Sequence, residues 1–245
     1  MSRDVWFAAV AGALVLASVS GVPAQPTAGC GPAARGALQQ AGADVDAADG
    51  ESALRRLRAA YSADPSCAAL ATASWAWHAW LSASQAMAVG AAAEALAPVR
   101  QALDVLEPGG QAATPASAYA AAIAHAAAAA AQYERDEMRV WLEHAAGLAH
   151  RLPPGERPWP MAPAVAEGEL WLTLHDPALA DAAFQRALDD GDTAVALRGL
   201  GRARAGGDNM PGGCGPYRRA LALVEADRPD GPLAVEARAF LRLCR

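Results

Sequence analysis

One helical face recurs along this chain and limits what it can fold into. Within the stretch from Pro177 to Ala205, residues Ala180, Ala183, Phe184, Ala187 and Leu188 stand at i, i+3, i+4, i+7 and i+8, and Asp189-Asp190-Gly191 ends the run. A small residue, a large one four later and a small one three after that suits a helix pressed between two neighbours. The signature returns upstream as Ala53, Leu57, Ala60 and Pro65, more weakly as Ala95, Val99, Ala102 and Glu107, and again as Met138, Leu142, Ala145 and His150. The starting positions 53, 95, 138 and 180 lie about 42 residues apart. Alanine is abundant enough to produce any single copy by chance, so the regular spacing carries the inference: stacked helical units that bury their faces against each other.

The run Ala180, Phe184, Ala187 resembles the second helix of a tetratricopeptide (TPR) repeat, and Gly168 and Trp171 stand where the first helix of that repeat has its small residue and its aromatic. Glu167 stands where a leucine is usual. Leu197, Leu200 and Gly201 repeat the first-helix pattern, with Arg204 in place of the aromatic. A 42-residue unit exceeds the roughly 34 of a standard TPR, and the surplus would lengthen each first helix by about two turns. The resemblance implies an all-α fold, a right-handed α-α superhelix of about five antiparallel helix pairs spanning residues 25–245.

Ahead of that domain, Arg3, the apolar run Val5 to Val19 and Val22-Pro23-Ala24 form a signal-peptide pattern over residues 1–24, with cleavage after Ala24. The run is short for a membrane span of about 20 residues, so no span is expected after cleavage. The implied location is periplasmic or secreted. A competing reading makes Thr27 to Cys30 a lipobox with Cys30 lipidated, but Thr27 replaces the usual leucine, and Cys67 would be left unpaired.

Four cysteines suit an oxidising compartment and allow three pairings. With antiparallel helix pairs, Cys30 before a first helix and Cys67 after its partner fall at the same end, as do Cys214 before `YRRALALVEA` and Cys244 at the end of the chain's last helix. The pairs Cys30–Cys67 and Cys214–Cys244 would each tie down a terminal helix hairpin, where a solenoid lacks a neighbour.

Along the chain, helices are expected over residues 32–64 in two parts joined by `GADVDAADG`, from Ala68 to Met87, and up to Leu106 with Pro98 as a kink or a start. Others are expected from Pro115 to Tyr133, over 136–151, and over 162–175, 177–190 and 194–205. `RLPPGERPWPMAP` reads as a rigid loop in which Trp159 plugs the core, and `AGGDNMPGGCGP` as the most flexible connection.

The basic residues are 20 arginines with no lysine, which excludes Schiff-base and P-loop lysine chemistry. A formal charge of −6 with dispersed arginines argues against nucleic acid. No HExxH, CxxC, GxSxG, GxGxxG or Walker pattern is present, and His78, His125, His144, His150 and His175 have no metal-ligand spacing. No catalytic residue, metal or cofactor is expected, so the chain reads as non-enzymatic.

Partner-binding candidates come from the first helices, which in TPR-like proteins face the concave side. In `WAWHAWL`, Trp77, Trp80, Ser84 and Met87 share one face and would stack on an apolar or aromatic ligand. Glu167 and Glu169 would sit among Arg198 and Arg202, whose guanidinium forks suit a partner's carboxylate. The expected function is binding of a protein or peptide on the concave face. The alternative is a small-molecule-binding accessory protein, for example of an envelope transport system, with a Trp-lined pocket for a small apolar ligand. Exposed tryptophans would favour the groove, and buried ones the pocket.

Overall fold

A computed structural model describes residues 30–244, apart from 89–92, 111, 113, 154, 155, 190, 192, 207 and 208. The expected signal peptide, its cleavage site and Thr27 of the lipobox reading lie outside the described residues. Those described contain eleven α-helices and no strand: α1 Pro32–Asp46, α2 Gly50–Ala63, α3 Ala68–Ala88, α4 Ala97–Leu106, α5 Pro115–Ala131, α6 Arg135–Ala149, α7 Pro163–Thr173, α8 Pro177–Asp189, α9 Ala194–Ala205, α10 Met210–Val224 and α11 Pro232–Leu241. Each helix packs on the next, and odd-numbered helices also touch one another from α1 through α9. The chain is an all-α helical repeat of five pairs, with α11 covering the last.

Turns inside the pairs show the repeat most clearly. Ala48, Tyr133 and His175 adopt left-handed φ values of 58°, 61° and 59°. In each case the next residue's N–H reaches back five positions, Asp49 to the Asp44 carbonyl at 2.8 Å, Glu134 to Ala129 at 2.9 Å and Asp176 to Trp171 at 2.9 Å. This is the Schellman way of closing a helix. The three turns are 85 and 42 residues apart, and five residues after each stand Ala53, Met138 and Ala180, all fully buried. The spacing read from the sequence is therefore the spacing of these turns. The Ala95 copy does not follow it: Ala95 lies in a 3-10 turn, Ala93–Leu96, and the buried face of α4 begins at Val99.

The surplus over a standard unit is distributed differently from the expectation. The first helices α3 and α5 are long, at 21 and 17 residues, but α7 has only 11, and its unit carries the extra length in the loop before Pro163. Two expected connections are also corrected. In `GADVDAADG`, α1 continues to Asp46 because Gly42, Asp44 and Val45 face the interior. In `AGGDNMPGGCGP`, α10 already begins at Met210, so Cys214 lies inside the helix. A β-carbon on Gly213 would sit 2.7 Å from the Gly201 carbonyl oxygen, so a bare backbone is what lets this turn lie flat on α9. Pro98 starts α4 and does not kink it.

The alanine tract forms α5, which is buried along nearly all of its length. Its small side chains let α3, α4, α6 and α7 all reach it, and a Thr114–Ser117 capping box fixes its start with reciprocal 3.0 Å bonds. Larger side chains lock the next pairs. Phe184 of α8 is fully buried, with its ring against the bare backbones of Gly168 on α7 and Gly199 on α9. One unit later Tyr217 of α10 lies on Gly201 and stacks on Phe240 with centroids 4.3 Å apart.

Cys30–Cys67 and Cys214–Cys244 are both bonded, across 37 and 30 residues. The pairing drawn from antiparallel helices holds, and it suits an oxidising environment. In the chain-entropy account each closure stabilises by about 3 to 4 kcal/mol. Urea unfolding with and without reductant is expected to show a loss of that size per bridge. A reduced protein as stable as the oxidised one would refute the assignment of stability to these loops.

Candidate functional site

The two ends of the repeat meet. Helix α1 packs on α9 as well as on α2 and α3, and its buried Asp44, 2% exposed, is held from both sides. Its Oδ2 accepts from Arg56 Nε at 3.0 Å and its Oδ1 lies 2.7 Å from Arg228, in the turn between α10 and α11. Asp46, the last residue of α1, accepts two bonds of 2.9 and 2.8 Å from Arg157 of the proline-rich loop. That loop enters the inner face: Trp159 is 9% exposed, as expected of a core plug, and the Tyr119 hydroxyl of α5 donates to the Met161 carbonyl. Burial pushes the Tyr119 hydroxyl pKa well above its ordinary value. Trp159 lines one cavity and Met161 another, so the loop separates two chambers.

The smaller chamber, about 170 Å³, collects most of the residues singled out in the sequence. Trp77, Trp80 and Met87 reach it from α3, Glu169 from α7 and Arg198 from α9, together with Val45, Leu170 and Val195. Trp77 and Trp80 are buried, at 5% and 7% exposure. The Trp77 indole Nε1 donates to the Gly50 carbonyl at 2.6 Å, and its ring lies so close that a β-carbon on Gly50 would stand 2.8 Å away. The start of α2 therefore fixes the first tryptophan, and Ser84, next on the same face, returns its hydroxyl to the Trp80 carbonyl at 2.9 Å.

The charged side of the chamber is an internal network. Arg202 does not line the cavity. Its Nη1 bonds Glu169 Oε2 at 2.9 Å. Arg198 donates to Glu236 of α11 at 2.7 Å, and its Nη1 stands 4.0 Å from Glu169 Oε1. Burial works against the Arg198 charge but is outweighed by Glu169 and Glu236, so its pKa lies above the ordinary value. Tyr217 donates to the other Glu236 oxygen at 2.6 Å; burial first, then this bond, raises its pKa. Both arginine forks face carboxylates of this chain. Glu167 is not part of the group: it accepts from Arg186 at 2.6 Å, and the Trp171 indole donates to it at 3.3 Å.

Glu169 Oε1 is buried and has no hydrogen-bond partner. Native proteins satisfy nearly all such atoms, and the Arg198 guanidinium stands 4.0 Å from this one, beyond hydrogen-bond distance. Among the described residues the three side-chain atoms in this condition are Glu169 Oε1, Glu156 Oε2 and Arg157 Nε, and all three residues line one of the two chambers.

The histidines are used elsewhere. His125 stacks on Trp141 at 4.2 Å and meets Glu107 at 3.0 Å, and His78 contacts Arg58 at 2.9 Å. Burial first, and then the Arg58 charge, lower the His78 pKa. Among the described residues no group of three or more His, Cys, Asp or Glu is arranged to hold a metal ion, and no helix is long and apolar enough to cross a membrane. Sequence reasoning missed Val45 and Met161 as chamber walls. One enters through the return of α1 and the other through an irregular loop, and neither has a local signature. Comparison with family models, with curated proteins and with solved structures finds no match to this chain.

Proposed function

We propose that this is a non-enzymatic, exported TPR-like binding protein that holds a small molecule inside its curled helical repeat, in the Trp77/Trp80 chamber. The observation that carries this reading is the combination of two buried tryptophans with a buried carboxylate oxygen that accepts no hydrogen bond, Glu169 Oε1, around one cavity of about 170 Å³. An engineered apolar cavity of about 150 Å³ admits benzene. The chemistry of the walls favours a small aromatic or apolar molecule with one N–H or O–H to offer to Glu169. A peptide laid along the concave face is supported less well, because the loop of Trp159 and Met161 fills that face and α1 closes on α9. Export is supported by the two disulfides together with the apolar leader ahead of Gln25.

Native mass spectrometry of the protein taken from its own cell envelope, without reductant, tests both parts. The expected polypeptide begins at Gln25, lacks four hydrogens through its two disulfides, and carries a small molecule that a Trp80→Ala variant loses. An acylated Cys30 would replace the cleavage reading. A second polypeptide with no small molecule would replace the chamber by a docking surface.

A further inference from the structure

The larger chamber, about 640 Å³, falls within the roughly 300–1,000 Å³ of small-molecule sites. It opens between α1, the starts of α3 and α5, and the loop before α7. Its apolar wall includes Leu38, Leu152 and Trp159. Four charged side chains line it, and two cancel: Arg157 and Asp46 form the bidentate pair already described. The other two are unmatched. Arg35, at the rim, donates to the Cys30 carbonyl at 2.5 Å and has no carboxylate within ion-pair distance among the described residues. Glu156 is half-buried, its Oε2 is fully buried without a partner, and no cation of the described residues is within ion-pair distance of it.

One unmatched cation, one unmatched carboxylate and an apolar wall around a single cavity make a complementary surface for a zwitterion. We propose that this chamber binds a free α-amino acid with an apolar side chain, its carboxylate on Arg35, its ammonium on Glu156 and its side chain against Leu38, Leu152 and Trp159. Arg35 keeps guanidinium donors in excess of its one backbone bond, as a carboxylate requires. Burial alone raises the Glu156 pKa, and an ammonium ion against Oε2 is the group that would offset that burial and keep the carboxylate ionised. The Asp46–Arg157 pair ties the loop that carries Glu156 to α1, the helix that carries Arg35. This second site is independent of the Trp77/Trp80 chamber.

Isothermal titration calorimetry on the full mature chain and on its Trp80→Ala variant, which removes a wall of the smaller chamber, with L-phenylalanine and L-leucine as probes, tests the assignment. Saturable binding of one equivalent is expected. Phenethylamine, which lacks the carboxylate, and N-acetyl-L-phenylalanine, which lacks the ammonium, should each bind at least about tenfold more weakly, the scale of a lost charged hydrogen bond. Arg35→Gln should remove the preference over phenethylamine and Glu156→Gln the preference over the acetylated compound, with unchanged thermal unfolding as the control for folding. No binding of either amino acid at millimolar concentration overturns the proposal. So do analogues that bind the Trp80→Ala protein as tightly as L-phenylalanine does, because there the smaller chamber cannot supply their site.

Discussion

Replacing Phe184 with alanine is expected to lower the stability of the fold by about 3–5 kcal/mol, the range for a large side chain removed from a packed core. The ring is fully buried in the middle of the best-formed part of the repeat, and it fills the gap between two helices that approach only because they carry glycine there. The converse change is the sharper test. A β-carbon on Gly199 would lie 2.2 Å from two ring carbons, and one on Gly168 would lie 2.6 Å from the ring tip. With helices on both sides the ring has nowhere to retreat, so Gly199→Ala should cost about 3 kcal/mol, the upper part of the overpacking range. If the clash is the cause, shrinking the ring should relieve it: Phe184→Leu with Gly199→Ala should cost less than the two single changes added. Urea denaturation of the three variants measures this. Strict additivity would mean that the glycine serves the backbone of α9 and not the ring.

That packing was legible in the sequence because it is local and periodic. Ala180, Phe184 and Gly168 belong to adjacent helices and stand at the spacing that two packed helices impose. The turns at Ala48, Tyr133 and His175 repeat at the interval that the buried Ala53, Met138 and Ala180 announced. The cysteine pairing followed from the same geometry, since it asked only which helix ends lie together. The convergence of Trp77, Trp80, Met87, Glu169 and Arg198 on one chamber followed from their places on first helices, which share the inner layer. What the pattern did not reveal is how far the inner layer curls. The contact of α1 with α9 joins helices far apart in the chain, which no local period reports, and the loop that divides the interior has no regular structure to announce Met161 or Glu156. The start of α10 was missed for another reason. Its glycines read as flexibility, whereas Gly213 is there to let two backbones touch.

An ionic triad holds the closure of the curl, and its removal is the second large effect expected. Asp44 is 2% exposed and ion-pairs with Arg56, twelve residues away on the neighbouring helix, and with Arg228, 184 residues away at the other end of the chain. Both arginines remain partly open to solvent, so the desolvated charge in this triad is the carboxylate. Converting both arginines to methionine leaves that charge buried without either cation, which should destabilise by about 3–5 kcal/mol. Adding Asp44→Leu to the same variant removes the stranded charge, and most of the stability should return, because an apolar triad of similar volume can match or exceed a buried ionic one. Hydrogen exchange separates the local roles. Arg228→Met alone should speed exchange in the last turn of α1 and at the corner between α10 and α11 while leaving α5 and α6 protected. Uniform acceleration across all helices would mean that the fold opens as one unit, with no separable closure. Failure of Asp44→Leu to restore the double variant would show that the arginines act through packing of their stems and not through the charge they neutralise. Since Val45 and the Asp46-anchored loop wall the two chambers, the restored apolar variant also asks whether ligand retention depends on the position of α1 or on the salt bridge itself. Retention in the restored protein with loss in the double-arginine variant is the expected result.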